Sequence, residues 1–431
     1  MKTLLPEQVA REFRCLLLQD VAIDFGRYAG RRSVRGSGHR VPGFSGGGCS
    51  ASGDRGGGQS RLSFAGGVSL PPVKRRFRLQ SIVHGMDLSS NARVAMSARP
   101  DCPPADARPR VFDLMKPSIA VLGCGYWGAN HVRTLKGLGV LRAVSDLNAA
   151  RAEGFAVEHD CLAIAPSELF SRDDVDAVVM ALPPQFHAEQ AVRAVEAGKD
   201  VLVEKPIALT VPDAERAVAA AERNGRIFMT GHVLRFHPAF EKLKALIDDG
   251  ELGIVKYIHS HRLGLGKFHT ENDALWDLAP HDLSMILAIT GQAPTDVRGE
   301  GAALLDRLSD FAHLHMHFPG GLRGHLFASR LNPYRERRLT VVGTKAMAVF
   351  DDVEPWEKKL AIYHHEVWQD SGQWLATTNE PTYVPVEGGM PLTRELEHFI
   401  HCIQTREPPR TSGEEGIEVL RILTAGTIAH T

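Results

Sequence analysis

Between residues 118 and 232, strand-sized apolar runs alternate with stretches in which apolar residues recur at helical spacing. The runs lie at 119–122, 141–145, 177–182, 200–203 and 226–230, and helical periodicity marks 129–135, 185–197 and 212–224. Strand and helix taken in turn predict βαβ units and a parallel sheet. After residue 232 the pattern changes. A helix over about 237–249 leads to a strand-like 255–262 and a helix over 275–289. Residues 310–318 alternate, turn at Pro319-Gly320-Gly321 and return over 322–330, and 338–342 with 346–350 makes another hairpin. Two closing helices, about 392–405 and 413–427, complete an α+β domain with a large, mainly antiparallel sheet.

The chain has 431 residues, 43% hydrophobic and 23% charged, enough apolar mass for two packed domains. Collagen, a disulfide mini-protein and a wholly disordered chain are excluded. No apolar run approaches the roughly 20 residues that span a bilayer, so a membrane is not an expected partner; nor is nucleic acid, once the arginine-rich start is read as a leader. Six cysteines without a CxxC pair argue against a disulfide framework or a cysteine zinc site and fit a reducing cytoplasm.

The net charge of −1 hides a division. Residues 1–114 hold 18 Lys and Arg against 9 Asp and Glu, and the remainder 32 against 42. Residues 26–67 contain 14 glycines, a composition that cannot offset chain entropy by burial. The arginine excess raises nucleic-acid binding or an organellar transit sequence. The preferred reading takes Met115 as the true start, because Met115-Lys116-Pro117 runs straight into a strand and a glycine fingerprint. Residues 1–114 are then a disordered, dispensable leader, 115–232 a nucleotide-binding domain and 233–431 a substrate and oligomerisation domain.

The fingerprint is Gly123-Cys124-Gly125-Tyr126-Trp127-Gly128, between a strand and a helix. Gly123 permits the tight turn, Gly125 lets a pyrophosphate approach the backbone, and Gly128 permits close helix-to-strand packing at a helix N-terminus. A second strand ends in Asp146, 23 positions after Gly123, placed to accept from both ribose hydroxyls. That carboxylate repels a 2′-phosphate, and Leu147-Asn148 offers no arginine to hold one, so NAD is favoured over NADP. The first domain therefore reads as a doubly wound Rossmann sheet, with ligands at the carboxyl ends of its strands. Those ends carry Leu182, Pro183 and His187, then Glu204-Lys205-Pro206, then Gly231-His232. Lys205 is the strongest candidate, an ammonium able to stabilise alkoxide character beside a nicotinamide.

With Asp277-Leu278-Ala279-Pro280-His281-Asp282 added, the chain resembles the Gfo/Idh/MocA oxidoreductases over about residues 116–430. The resemblance implies that Lys205 is the active-site lysine, that Pro206 follows a cis peptide, and that Asp277 and His281 complete the catalytic set. Their i, i+4 spacing on one helix agrees, since both then share a face. It also implies that the open face of the second sheet pairs between subunits, giving a homodimer or homotetramer. Metal readings of His313, His315 and His317, or of Asp277 and His281 with His261 or His269, are set aside, because hydride transfer from an alcohol needs a base and no metal.

Substrate contacts are expected from Lys205, Asp277 and His281 with Arg235, His237, Arg262, Lys267 and Asn272. Arg235, just past a strand end, suits a phosphate or carboxylate. The run from Gly231 to Pro238, with Tyr126-Trp127-Gly128-Ala129-Asn130, resembles family branches that oxidise C3 of a UDP-linked N-acetylhexosamine. A free sugar or inositol is the alternative substrate. An NAD-dependent glycosidase and a non-catalytic NAD-binding regulator are the competing functions.

Overall fold

The computed structural model of the chain describes residues 116–266, 268 and 272–427. The expectations for residues 1–114, Met115, Lys267 and His269 lie outside the described residues. The first sheet contains β1 (Ile119–Leu122), β2 (Leu141–Ser145), β3 (Leu162–Ala163), β4 (Ala177–Met180), β5 (Asp200–Glu204) and β6 (Phe228–Gly231). All pair in parallel, in the order β3-β2-β1-β4-β5-β6. This is the doubly wound sheet anticipated from the sequence. Strands β1, β4 and β6 are buried along their whole length because helices cover both faces, which is why their residues are uniformly apolar or small.

The crossover helices are α1 (Tyr126–Leu138), α2 (Ala149–His159), α3 (His187–Glu196) and α4 (Val211–Arg223). Helix α2 and strand β3 have no counterpart in the sequence reading. The helix buries only Ala152 and Ala156, so it lacks a broad apolar stripe, and both residues of β3 are exposed. What starts α2 is local: the Asn148 side chain accepts from Arg151 N at 3.1 Å.

The second sheet is built from β7 (Val255–Leu265), β8 (Asp296–Ala302), β9 (Phe311–His317), β10 (Arg323–Ser329), β11 (Leu331–Gly343), β12 (Met347–Asp351), β13 (Leu360–Tyr363) and β16 (Thr382–Tyr383), in the order β16-β13-β12-β11-β7-β10-β9-β8. Only β7 and β10 run parallel. A separate exposed hairpin, β14 (Glu366–Asp370) with β15 (Gln373–Thr377), lies between β13 and β16 in the chain. Ala312, Leu314 and Met316 of β9 point into the core with Leu326 and Ala328 of β10, while His313, His315 and His317 take the opposite face. Helices α5 (Pro238–Asp248) and α6 (Ala274–Thr290) cover the inner face.

The last two helices, α7 (Pro391–Thr405) and α8 (Gly413–Ala425), return to the first sheet. Leu396, Phe399 and Cys402 of α7 pack with Val132 and Leu135 of α1. Helix α8 is a shared wall. Its Ile417 and Leu420 join the first core with Ala217 and Phe228, and its Val419, Ile422 and Leu423 join the second.

Candidate active site

The turn between β1 and α1 has the shape its glycines allow. Gly123 has φ of +95°, and a Cβ there would lie 2.5 Å from the Ala181 carbonyl oxygen. A Cβ on Gly128 would meet the Gly123 carbonyl oxygen at 1.8 Å, so no side chain fits. Gly125 caps α1 and has open space at its Cβ position, where a phosphate would approach. Tyr126 and Trp127 follow it, both exposed. Asp146 is held by Cys124 N and Asn148 N, each at 2.8 Å. These groups fit a dinucleotide, with backbone donors for the pyrophosphate and a fixed carboxylate for the ribose. One neighbour was missed in the sequence: Arg151, on the first turn of α2, places Nη1 3.4 Å from Asp146 Oδ2. A strand-end reading that stopped at Asn148 could not see an arginine brought back by the next helix.

At the end of β4, Leu182 and Pro183 enter the loop before α3. His187 ties that loop to the next strand end, with Nδ1 at 2.7 Å from the Pro206 carbonyl oxygen and Nε2 at 2.8 Å from that of Leu182. Burial pulls its pKa down, opposed by the two carbonyls and Glu204. It therefore braces the rim on which Lys205 sits.

Strand β5 ends at Glu204, and the Lys205–Pro206 bond is cis. Lys205 Nζ donates to the Asp277 carbonyl oxygen at 2.9 Å and lies 3.7 Å from its Oδ1. Asp277 and His281 both fall on α6, as their spacing anticipated. Burial is the main force lowering the His281 pKa well below that of a free histidine, aided by the cations Lys205 and Arg262. Its Nδ1 is buried with no partner. A neutral imidazole beside an ammonium is thus present, able to take a proton.

Three residues expected to meet substrate have partners within the protein. Arg235 forms a salt bridge to Glu415 of α8 through Nη1, which also lies 3.5 Å from Ser284 Oγ. Arg262 pairs with the buried Asp282. His237 caps α5, its Nδ1 accepting from Ala239 N at 3.1 Å, and its ring lies between Phe350 and Trp356. Arg235 and Arg262 looked available because their partners lie 180 and 20 positions away in the chain. Asn272 offers its carbonyl oxygen to Arg330 at 3.1 Å.

Two histidines were given no role from the sequence, His232 at a strand end and His131 on α1. His232, 1% exposed, has no partner at either ring nitrogen, and burial with Arg235 and Lys205 pushes its pKa down to about 3. His131, fully buried on α1, binds Glu204 Oε1 through Nε2 at 2.7 Å. Among the described residues no three His, Cys, Asp or Glu side chains converge to hold a metal ion, and no helix is long and apolar enough to cross a membrane.

Comparisons with known proteins agree with this geometry. Residues 118–232 match the model of the Gfo/Idh/MocA oxidoreductase family's NAD-binding Rossmann fold, and residues 240–349 match a C-terminal domain of that family. The chain is 30% identical over 301 residues to UDP-N-acetylglucosamine 3-dehydrogenase of Acidithiobacillus ferrooxidans, covering 70% of this chain and 93% of that protein. It is 27% identical to myo-inositol 2-dehydrogenase of Thermotoga maritima, covering 69% and 91%. A solved structure of the Acidithiobacillus enzyme superposes with a TM-score of 0.64 at 29% identity, over 72% of this chain and 96% of that one. With the glycine turn, the Lys205 rim and both domain matches in agreement, the chain belongs to the Gfo/Idh/MocA family of NAD(P)-binding oxidoreductases.

Proposed function

We propose that the protein is an NAD-dependent dehydrogenase that oxidises a ring hydroxyl of a sugar, best a UDP-linked N-acetylhexosamine at C3. The observation that carries this reading is the meeting of Lys205 from the first domain with Asp277 and the neutral His281 from the second. NAD, when bound, accepts the hydride. His281 takes the hydroxyl proton. Lys205 donates to the same oxygen and stabilises its developing negative charge, and Asp277 holds the ammonium in place. The amino-sugar preference follows the likeness to the Acidithiobacillus enzyme, and the likeness to the inositol enzyme supports a cyclitol or free sugar as the alternative.

Asp146 favours NAD over NADP, with Arg151 serving as its counter-charge. A homodimer or homotetramer through the open face of the second sheet completes the reading. That face carries a hollow of about 380 Å³ lined by Tyr257, His315, His317, Arg323 and His325, remote in the chain from the Lys205 site. The test is NADH absorbance with NAD or NADP and a panel of UDP-N-acetylhexosamines, their uronic acids, free sugars and inositols. Signal with a UDP-sugar alone supports the proposal. Signal with inositol alone replaces the substrate, and sugar release without net NADH replaces the reaction with NAD-dependent glycoside cleavage. NAD binding with no turnover of any kind leaves a regulator.

A further inference from the structure

Directly behind the Lys205 rim lies a buried acid that the proposed chemistry does not use. Glu395, on the first turns of α7, is fully buried, and neither carboxyl oxygen has a hydrogen-bond partner. It sits where α7 packs on α1, in the core that also takes Leu396 and Phe399. The buried or half-buried ionisable side chains on the surrounding elements are His131 on α1, Glu204 and Lys205 at the end of β5, and His232 and Arg235 after β6. His398 lies one turn along α7 itself. Arg235 is engaged with Glu415, His398 accepts from Arg410 N at 2.8 Å, and Lys205 points to Asp277. What acts on Glu395 is the second carboxylate, Glu204, which His131 of α1 binds in turn.

Two carboxyl groups that repel each other, one of them buried without a single donor, do not both ionise. Glu204 has the donors: His131 Nε2 at 2.7 Å and Lys205 N at 3.3 Å. Glu395 has none, so the proton belongs on Glu395 and the charge on Glu204. Burial and the neighbouring Glu204 both push the Glu395 pKa well above that of a free glutamic acid.

We propose that Glu395 is a positioning residue of the cofactor site: a neutral carboxylic acid that, together with His131, leaves Glu204 as the one anion of the Glu204–Glu395 pair behind the Lys205 rim. This rests on the reading of Glu204 as a cofactor contact. Ionising Glu395 at alkaline pH would put a second negative charge behind Glu204 and loosen the hold on the dinucleotide.

The experiment is NADH affinity of the full chain by fluorescence titration, against pH, for the wild type and Glu395→Gln. The glutamine has the shape of the neutral acid and cannot ionise. The expected result is equal affinity near neutrality, within about twofold, followed at high pH by a fall in the wild type of up to about tenfold per pH unit that the variant does not show. Infrared difference spectra supply an independent reading on the wild type alone: a carboxylic-acid carbonyl band at pH 7 that disappears on the same alkaline limb. A parallel alkaline fall in both proteins overturns the proposal, and so does a wild type without that band. Failure of the wild type to bind NADH at any pH would instead sink the functional reading itself.

Discussion

The two sheets use the same chemical alphabet in opposite ways. In the parallel sheet the central strands are buried on both faces, so polar groups appear only where strands end, and Asp146, Glu204 and Lys205 all follow that rule. In the eight-stranded sheet one face is covered by α5 and α6 and the other is open. Polar groups there sit along the strands: His259, His261, His313, His315 and His325 cover the open face with Tyr257 and Phe327. The first sheet concentrates charge at an edge where a ligand arrives; the second spreads aromatic and imidazole rings over an area, the form a protein partner needs. The second domain brings Asp277 and His281 to Lys205 on α6, the helix laid against the inner face of its sheet.

The sharpest test of this division is Lys205→Ala. Turnover should drop by at least about 100-fold, with NADH affinity nearly unchanged, because the ammonium stabilises only the reacting oxygen. Equal turnover would remove Lys205 from the mechanism.

Arg235→Ala comes next. Because Arg235 pairs with Glu415 within a largely buried junction, the change should lower unfolding free energy in urea by about 3–5 kcal/mol. A full-stability variant with a raised substrate KM would restore Arg235 to substrate binding.

The pH profile follows. His281 takes up its proton only as pH falls through its lowered pKa, so kcat/KM should hold through pH 6.5 and decline only below it. An acid limb centred at 6.5 or above would move the base elsewhere. The smallest expected effect is on the open face: Phe327→Asp should shift the oligomer toward monomer in sedimentation while leaving NADH affinity intact. An unchanged sedimentation profile would mean that the subunits pair elsewhere or not at all.

Most of the fold was legible because its signals are local. Continuous apolar runs, the Gly123 to Gly128 turn and the alternation of 310–318 all survive in the structure within a residue or two. Helix α2 escaped because a helix that buries only two alanines has little periodicity to show. At the site, the placement of Lys205 at a strand end and of Asp277 and His281 on one helix was readable from the sequence. The partners of Arg235, Arg262 and His237 were not, because engagement is a property of pairs. Glu415, Asp282 and Asp352, which hold them, are distant in sequence and carry no mark of the pairing. The same blindness hid His131 and Glu395, whose meaning appears only once α1, β5 and α7 lie side by side.

Helices α7 and α8 close the first core although they follow every strand of both sheets in the chain. A ribosome that has made residues 118–383 has made every strand of both sheets without the side chains of Leu396, Phe399, Ile417 and Leu420 that seal the first. Helix α7 also brings Arg406, whose guanidinium grips Asp200 of β5 at 2.6 and 3.0 Å. The first core therefore stays incomplete until residues 391–425 have been made. A chain cut short before α7 is left with an exposed apolar face, the state that chaperones and proteases recognise.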